Sequence, residues 1–248
     1  MNSGRKQEVE AQATPVDVTW LRTAGAAGVV GALALVIGDV LFTSDASAED
    51  LVVARSQVPT AQLYASGVLG LIASWLYVAA AWQVYFALRP AGKPLAGATF
   101  AAFTTTLIGS AVYHAVFPAL MFGAKVAVLA EESDVAELAS ALPEGYNAIL
   151  LVVAVILPST VFTVLFTYTL LRRPTDLPRW TILLTPLVVI LIYMVSGQVL
   201  STVLPNLYSM RLYGSVYNIA ILLFFVASTL SLWNGGRYQT STILRSKA

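Results

Sequence analysis

The sequence predicts an all-α polytopic membrane protein, a bundle of six transmembrane helices with both termini in the cytoplasm. Three observations predict it. Of 248 residues, 58% are apolar and 11% charged, whereas a soluble domain carries about 25% charged residues. Six apolar stretches of membrane length recur along the chain. The charges fall between those stretches, and their sign alternates from one connection to the next.

A spanning helix needs about 20 mostly apolar residues. The first stretch runs from Trp20 to Phe42, after a polar cytoplasmic segment of residues 1–19. Arg5 and Lys6 precede it, and Ala46-Ser47-Ala48 resembles a signal-peptidase site. The long polar lead and the near-full membrane length argue for an uncleaved first helix. The second stretch, Tyr64 to Leu88, and the third, Leu95 to about Phe117, are joined by a short loop holding Arg89 and Lys93. Apolar character continues past Phe117 to Ala130, so the third span is expected to break or kink near Pro118, with the remainder on the outer surface. The fourth stretch is Ala148 to Leu171, the fifth Trp180 to Val203 and the sixth Leu212 to Trp233. The transmembrane domain is therefore 20–233, followed by a cytoplasmic tail, 234–248.

Flanking charge sets the orientation. Arg5, Lys6 and Arg22 lie at the N-terminal side, Arg172, Arg173 and Arg179 in the fourth loop, and Arg237, Arg245 and Lys247 in the tail. Lysine and arginine favour the cytoplasmic side. The third loop is acidic, with Glu131, Glu132, Asp134, Glu137 and Glu144, and faces outside with the first and fifth. Trp20, Trp82, Trp180 and Trp233 fall at the inner interface, where indole rings settle. Ser47-Ala48-Glu49-Asp50 and Asp134-Val135-Ala136-Glu137 read as helix-capping sequences, so short interfacial helices are expected in outer loops 1 and 3.

Asp39 and His114 are the ionisable residues well inside the apolar stretches, and His114 is the single histidine. Burying such groups in a bilayer is costly, which makes them functional candidates. Asp39 lies 19 positions after Trp20, His114 19 after Leu95 and Gln198 18 after Trp180. At 1.5 Å per residue all three reach roughly 27–28 Å, near the outer hydrocarbon boundary. Tyr113, Tyr217 and Asn218 belong to the same layer. Asp39 and His114 are the candidate acid–base pair; Gln198 and Asn218 complete a polar network. Trp75, near mid-membrane, packs against a neighbouring helix or walls a ligand pocket. The other reading has the polar residues reach interfacial water or fix helix register.

Composition excludes much chemistry. A net charge of +1 leaves no nucleic-acid footprint. The absence of cysteine excludes disulfides, thiolate catalysis and Cys-ligated metals. One histidine is a thin basis for a metal site, and no phosphate- or dinucleotide-binding motif occurs, so no metal and no cofactor are expected. Ser110, His114 and Asp39 are the residue types of a hydrolytic triad, but no Gly-x-Ser-x-Gly elbow accompanies them. Gly25, Gly28, Gly31 and Gly38 in the first stretch, and Gly67 and Gly70 in the second, read as close-packing positions. Pro158 is placed to free a backbone carbonyl. The function expected is binding, and processing or passing, of a small or amphipathic molecule in an outward-facing pocket. The alternatives are an acid–base membrane enzyme, a small transporter, and a structural or partner-binding subunit. The expected partners are membrane lipids and a lipid-like ligand; a monomer suffices, and the sequence fixes no oligomeric state.

Several phrases occur in order: Ile37-Gly38-Asp39, Arg89-Pro90-Ala91-Gly92-Lys93, Tyr113-His114-Ala115-Val116-Phe117-Pro118, Leu177-Pro178-Arg179-Trp180 and Gly214-Ser215-Val216-Tyr217-Asn218. Together they resemble a bacterial family of six-helix integral membrane proteins of unknown function. The resemblance implies a multi-pass protein of the bacterial cytoplasmic membrane and no particular chemistry. Asp39, His114 and Asn218 match the family's polar positions.

Overall fold

The computed structural model describes residues 18–42, 57–129, 146, 148–203 and 210–234. Among the described residues there are six long helices: α1 (Val18–Phe42), α2 (Thr60–Leu88), α3 (Lys93–Leu129), α4 (Leu157–Arg172), α5 (Pro186–Val203) and α6 (Met210–Asn234). No strand occurs among the described residues. Among the described residues, five helical stretches are long and apolar enough to cross a membrane: Thr19–Leu41, Thr60–Ala91, Lys93–Gly123, Ala148–Arg172 and Ser215–Trp233. Pro186–Ser196 is a shorter apolar helix. The segments expected to form interfacial helices in outer loops 1 and 3 lie outside the described residues.

Two expectations about the spans are corrected. The stretch from Trp180 is not one helix. Arg179–Leu184 is 3-10 helical, Thr185 is extended at ψ 142°, and α5 starts only at Pro186. Proline disfavours the helical conformation in the residue before it, which accounts for the break. The Thr181 and Thr185 hydroxyls donate to the Pro178 and Ile182 carbonyls and close the short turns. By contrast, α3 does not break at Pro118 but remains helical from Lys93 to Leu129. An interior proline costs a helix about 3 kcal/mol. Here Phe117, Leu120 and Met121, flanking Pro118, are buried against Val58 and Leu63 at the start of α2. Burying each such side chain returns roughly 1.5–3 kcal/mol, enough to keep the segment helical past the proline.

The connection between α2 and α3 is a 3-10 turn, Arg89–Ala91, followed by Gly92 at φ 113°. That left-handed conformation suits glycine. The Asp176 amide donates to the Ala87 carbonyl (2.9 Å), tying the α4–α5 connection to the same end of the bundle. There too, Arg22 of α1 donates to the Trp233 carbonyl of α6 (3.1 Å) and lies over the Trp233 ring.

Helix α1 packs on α2 and α6, and α3 packs between α2 and α4. Its glycines make the first contact close. A Cβ on Gly25 would strike Gln83 and Thr229, one on Gly28 would strike Phe225, and one on Gly31 would crowd Tyr77. The core between the helices is aromatic: Phe103 stacks on Phe162 at 4.4 Å, and both meet Phe224. Outward-facing positions are also apolar, including Val30, Val164 and Val195. A surface apolar on this scale suits lipid rather than water.

Candidate functional site

Three helices distant in sequence meet at one buried polar centre. Helix α1 brings Asp39, α3 brings Ser110 and His114 one turn apart on one face, and α6 brings Asn218. All four side chains are 2–3% exposed. His114 Nε2 lies 3.1 Å from Asp39 Oδ1. Asn218 Nδ2 donates to Asp39 Oδ2 at 2.8 Å and stands 2.9 Å from His114 Nε2. Ser110 Oγ donates to Asn218 Oδ1 at 3.1 Å, which turns the amide nitrogen toward the acid and the imidazole.

Close approach of the backbones makes this meeting feasible. A Cβ on Gly38 would lie 3.3 Å from Ser66 Oγ and 3.5 Å from His114 Nδ1. One on Gly70 would press on His114 Cβ at 2.8 Å. Glycine at these two positions lets α1 and α2 approach the imidazole from both sides.

The chemistry follows from one atom. Nε2 of an imidazole carries either a proton or a lone pair, never both. It therefore donates to Asp39, or it accepts from Asn218 or from a protonated Asp39. With a proton held on Nδ1, moving a second proton between Asp39 and Nε2 interconverts these arrangements without moving a heavy atom. A carboxylate that orients an imidazole in this way fixes its tautomer and leaves Nδ1 to act on the opposite side.

A second polar contact lies nearer the α2–α3 turn. Gln83 Nε2 donates to Thr229 Oγ1 at 3.2 Å, both buried, where Gly25 allows α1 to pass. The backbone just before Pro158 departs from the α-helix. Residues Leu151–Ile156 are π-helical, and Pro158 supplies no N–H to Ala154. The Ala154 carbonyl points at Gly109 of α3, where any Cβ would overlap it. It is a helix-packing contact, not a ligand contact. Ser159 Oγ caps the neighbouring Val155 carbonyl (2.5 Å) and pairs with the Tyr217 hydroxyl (2.8 Å).

The remaining candidates fall elsewhere. Tyr217 joins α6 to α4 through Ser159 rather than reaching Asp39. Tyr113 is half-buried and packs on Phe117 at 5.4 Å, beside the second apolar cluster. Trp75 is 78% exposed on the outward face of α2, so it neither walls this centre nor packs into the bundle. The side chain of Gln198 lies outside the described residues. Sequence reasoning missed Ser66. Among the described residues, no group of three or more His, Cys, Asp or Glu could hold a metal ion.

An apolar groove of about 570 Å³ runs along the outer side of the α2–α3 seam, lined by residues including Tyr64, Gly67, Leu71, Ala115, Pro118 and Phe122. Gly67 and Ala115 line the groove, while their neighbours Ser66 and His114 are buried inward.

The family model described as a family of unknown function, DUF6796, matches residues 17–234, and the chain belongs to that family. No curated protein and no solved structure matches the chain.

Proposed function

We propose that this chain is a six-span protein of the bacterial cytoplasmic membrane that binds an amphipathic molecule from the outer leaflet. Its apolar part lies in the α2–α3 groove and its polar part is directed toward Asp39 and His114. One observation carries this reading: on α3, Ala115 of the groove directly follows His114 of the buried Asp39–His114–Asn218 centre. The groove is open along its outer side and its lining is apolar, which suits a hydrocarbon chain.

In this reading α5, the fifth in chain order, also spans and brings the number of spans to six. Its 18 residues rise about 27 Å, close to the hydrocarbon thickness. Arg89, Lys93, Arg172, Arg173 and Arg179 flank the end marked by the Ala87–Asp176 bond, which supports reading that end as the cytoplasmic one. The Arg22–Trp233 bond puts the start of α1 and the end of α6 there too.

Native mass spectrometry of the purified protein tests the binding. The expected result is a retained amphipathic adduct that is lost in Ala119→Phe, a substitution at an exposed groove position. An adduct equally retained by the variant, or none beyond bulk lipid, contradicts the groove as the binding site.

A second reading is favoured by the mutual satisfaction of Asp39, His114 and Asn218. The three form a lock that fixes the register of α1, α3 and α6. Loss of helix register without loss of the adduct on His114→Ala supports the lock alone.

A further inference from the structure

Two connections distant in sequence are tied together at the end of the bundle opposite the groove, and both are basic. Arg89 and Lys93 flank the α2–α3 turn, and Arg172, Arg173 and Arg179 flank the α4–α5 connection. The bond from the Asp176 amide to the Ala87 carbonyl (2.9 Å) joins the two. The α4–α5 connection has a fixed course. Leu177 is buried in the main core with Ala87, Leu88 and Ala96. The Thr175 and Thr181 hydroxyls donate to the Leu177 and Pro178 carbonyls. Lys93, Arg172, Arg173 and Arg179 are exposed, and Arg89 is half-buried over the Phe86 ring. Asp176 is the one carboxylate in these two connections. Among the described residues, none of the five cations forms an ion pair. Like charges gathered on a fixed backbone repel one another, and a bound polyanion relieves that repulsion.

We infer that this junction binds the headgroup of an anionic phospholipid bearing two phosphates. Four of the five cations are arginines, whose planar fork meets phosphate oxygens in pairs. Five cations against one carboxylate suit two phosphates rather than one. A zwitterionic headgroup would bring its own ammonium to the same cations and gain little. Apolar side chains adjoin the charges. Leu171 precedes Arg172, Trp180 and Leu183 follow Arg179, and all three are exposed. They give acyl chains a surface beside the headgroup, and an indole settles at the boundary between the two. A soluble polyanion would make no use of that surface. Basic pockets between membrane helices take phosphate headgroups in this way. Because the two connections are already tied and packed, binding orders little further backbone. The junction lies beyond Leu88 on α2, whereas the apolar groove lies at Tyr64–Leu71, so neither site depends on the other.

The test titrates the full-length, delipidated chain in detergent with tetraoleoyl cardiolipin, dioleoyl phosphatidylglycerol or dioleoyl phosphatidylcholine. Native mass spectrometry reads the first bound equivalent. Each cation near a phosphate is worth about fivefold in affinity. The first cardiolipin is therefore expected to bind at least about fivefold tighter than phosphatidylglycerol, and phosphatidylglycerol tighter than phosphatidylcholine. The triple variant Arg172→Gln/Arg173→Gln/Arg179→Gln is expected to bind cardiolipin at least about tenfold more weakly. Arg237→Gln/Arg245→Gln/Lys247→Gln removes as many cations from the tail and is expected to keep the wild-type affinity. The wild-type ratios decide the matter even if a variant does not fold. Equal affinity for cardiolipin and phosphatidylglycerol overturns the two-phosphate headgroup. Equal losses in the two triple variants overturn the junction in favour of bulk charge. Release of bound cardiolipin by equimolar sodium pyrophosphate overturns the lipid in favour of a soluble diphosphate.

Discussion

At the residue scale, the buried centre behaves as one unit because each member satisfies another. Removing one partner of a buried ion pair costs about 3–5 kcal/mol, since the survivor is left unpaired. Asp39→Asn and His114→Ala are each expected to lower thermal stability in detergent. The double variant is expected to lose less than the sum, with a coupling of about 1–3 kcal/mol. Additive losses would show that the 3.1 Å contact carries no energy. Asp39 and His114 were legible in the sequence because ionisable groups stand out in apolar stretches. Ser66 was not, for a physical reason. Hydroxyl residues in membrane helices can satisfy themselves on the carbonyl four residues back, as Thr99, Thr105, Thr106 and Ser196 do here. Nothing in the sequence separates a serine that does so from one that does not. Trp75 misled in the opposite way, because an indole facing lipid needs no protein partner.

At the element scale, three prolines have three outcomes. Pro186 ends a helical stretch, Pro118 is carried through by buried neighbours, and Pro158 is accommodated by a π-helical segment. The prolines are visible in the sequence, but what decides each outcome is the packing around it, which is not. Two substitutions follow. Gly109→Ala forces a Cβ onto the Ala154 carbonyl and should destabilise the bundle by about 1–3 kcal/mol, as overpacking does. Pro118→Ala returns an N–H to the His114 carbonyl and removes the ring, so helicity and melting temperature should be unchanged or raised. Thermal unfolding followed by circular dichroism checks both. A stable Gly109→Ala variant, or a collapsed Pro118→Ala variant, would contradict these accounts of α3.

At the scale of the whole molecule, length and flanking charge made the helical architecture legible. They did not reveal which helices touch, because spans apolar all round carry no periodic face. The absence of cysteine makes the orientation directly testable. Single-cysteine variants Lys93→Cys and Arg173→Cys should resist a membrane-impermeant maleimide in intact cells, while Glu137→Cys should react. The reverse pattern would invert the topology. The contact of α1, α3 and α6 at one polar centre is the claim on which the rest depends, and the single histidine offers a unique probe of it. The most direct test is 15N magnetic resonance of the histidine-labelled protein in lipid, comparing wild type with Asp39→Asn and Asn218→Ala. The predicted result is a hydrogen-bonded Nε2 signal in wild type that shifts in both variants, though one substitution lies in α1 and the other in α6. A histidine signal unmoved by either change would mean that the three helices do not meet at His114.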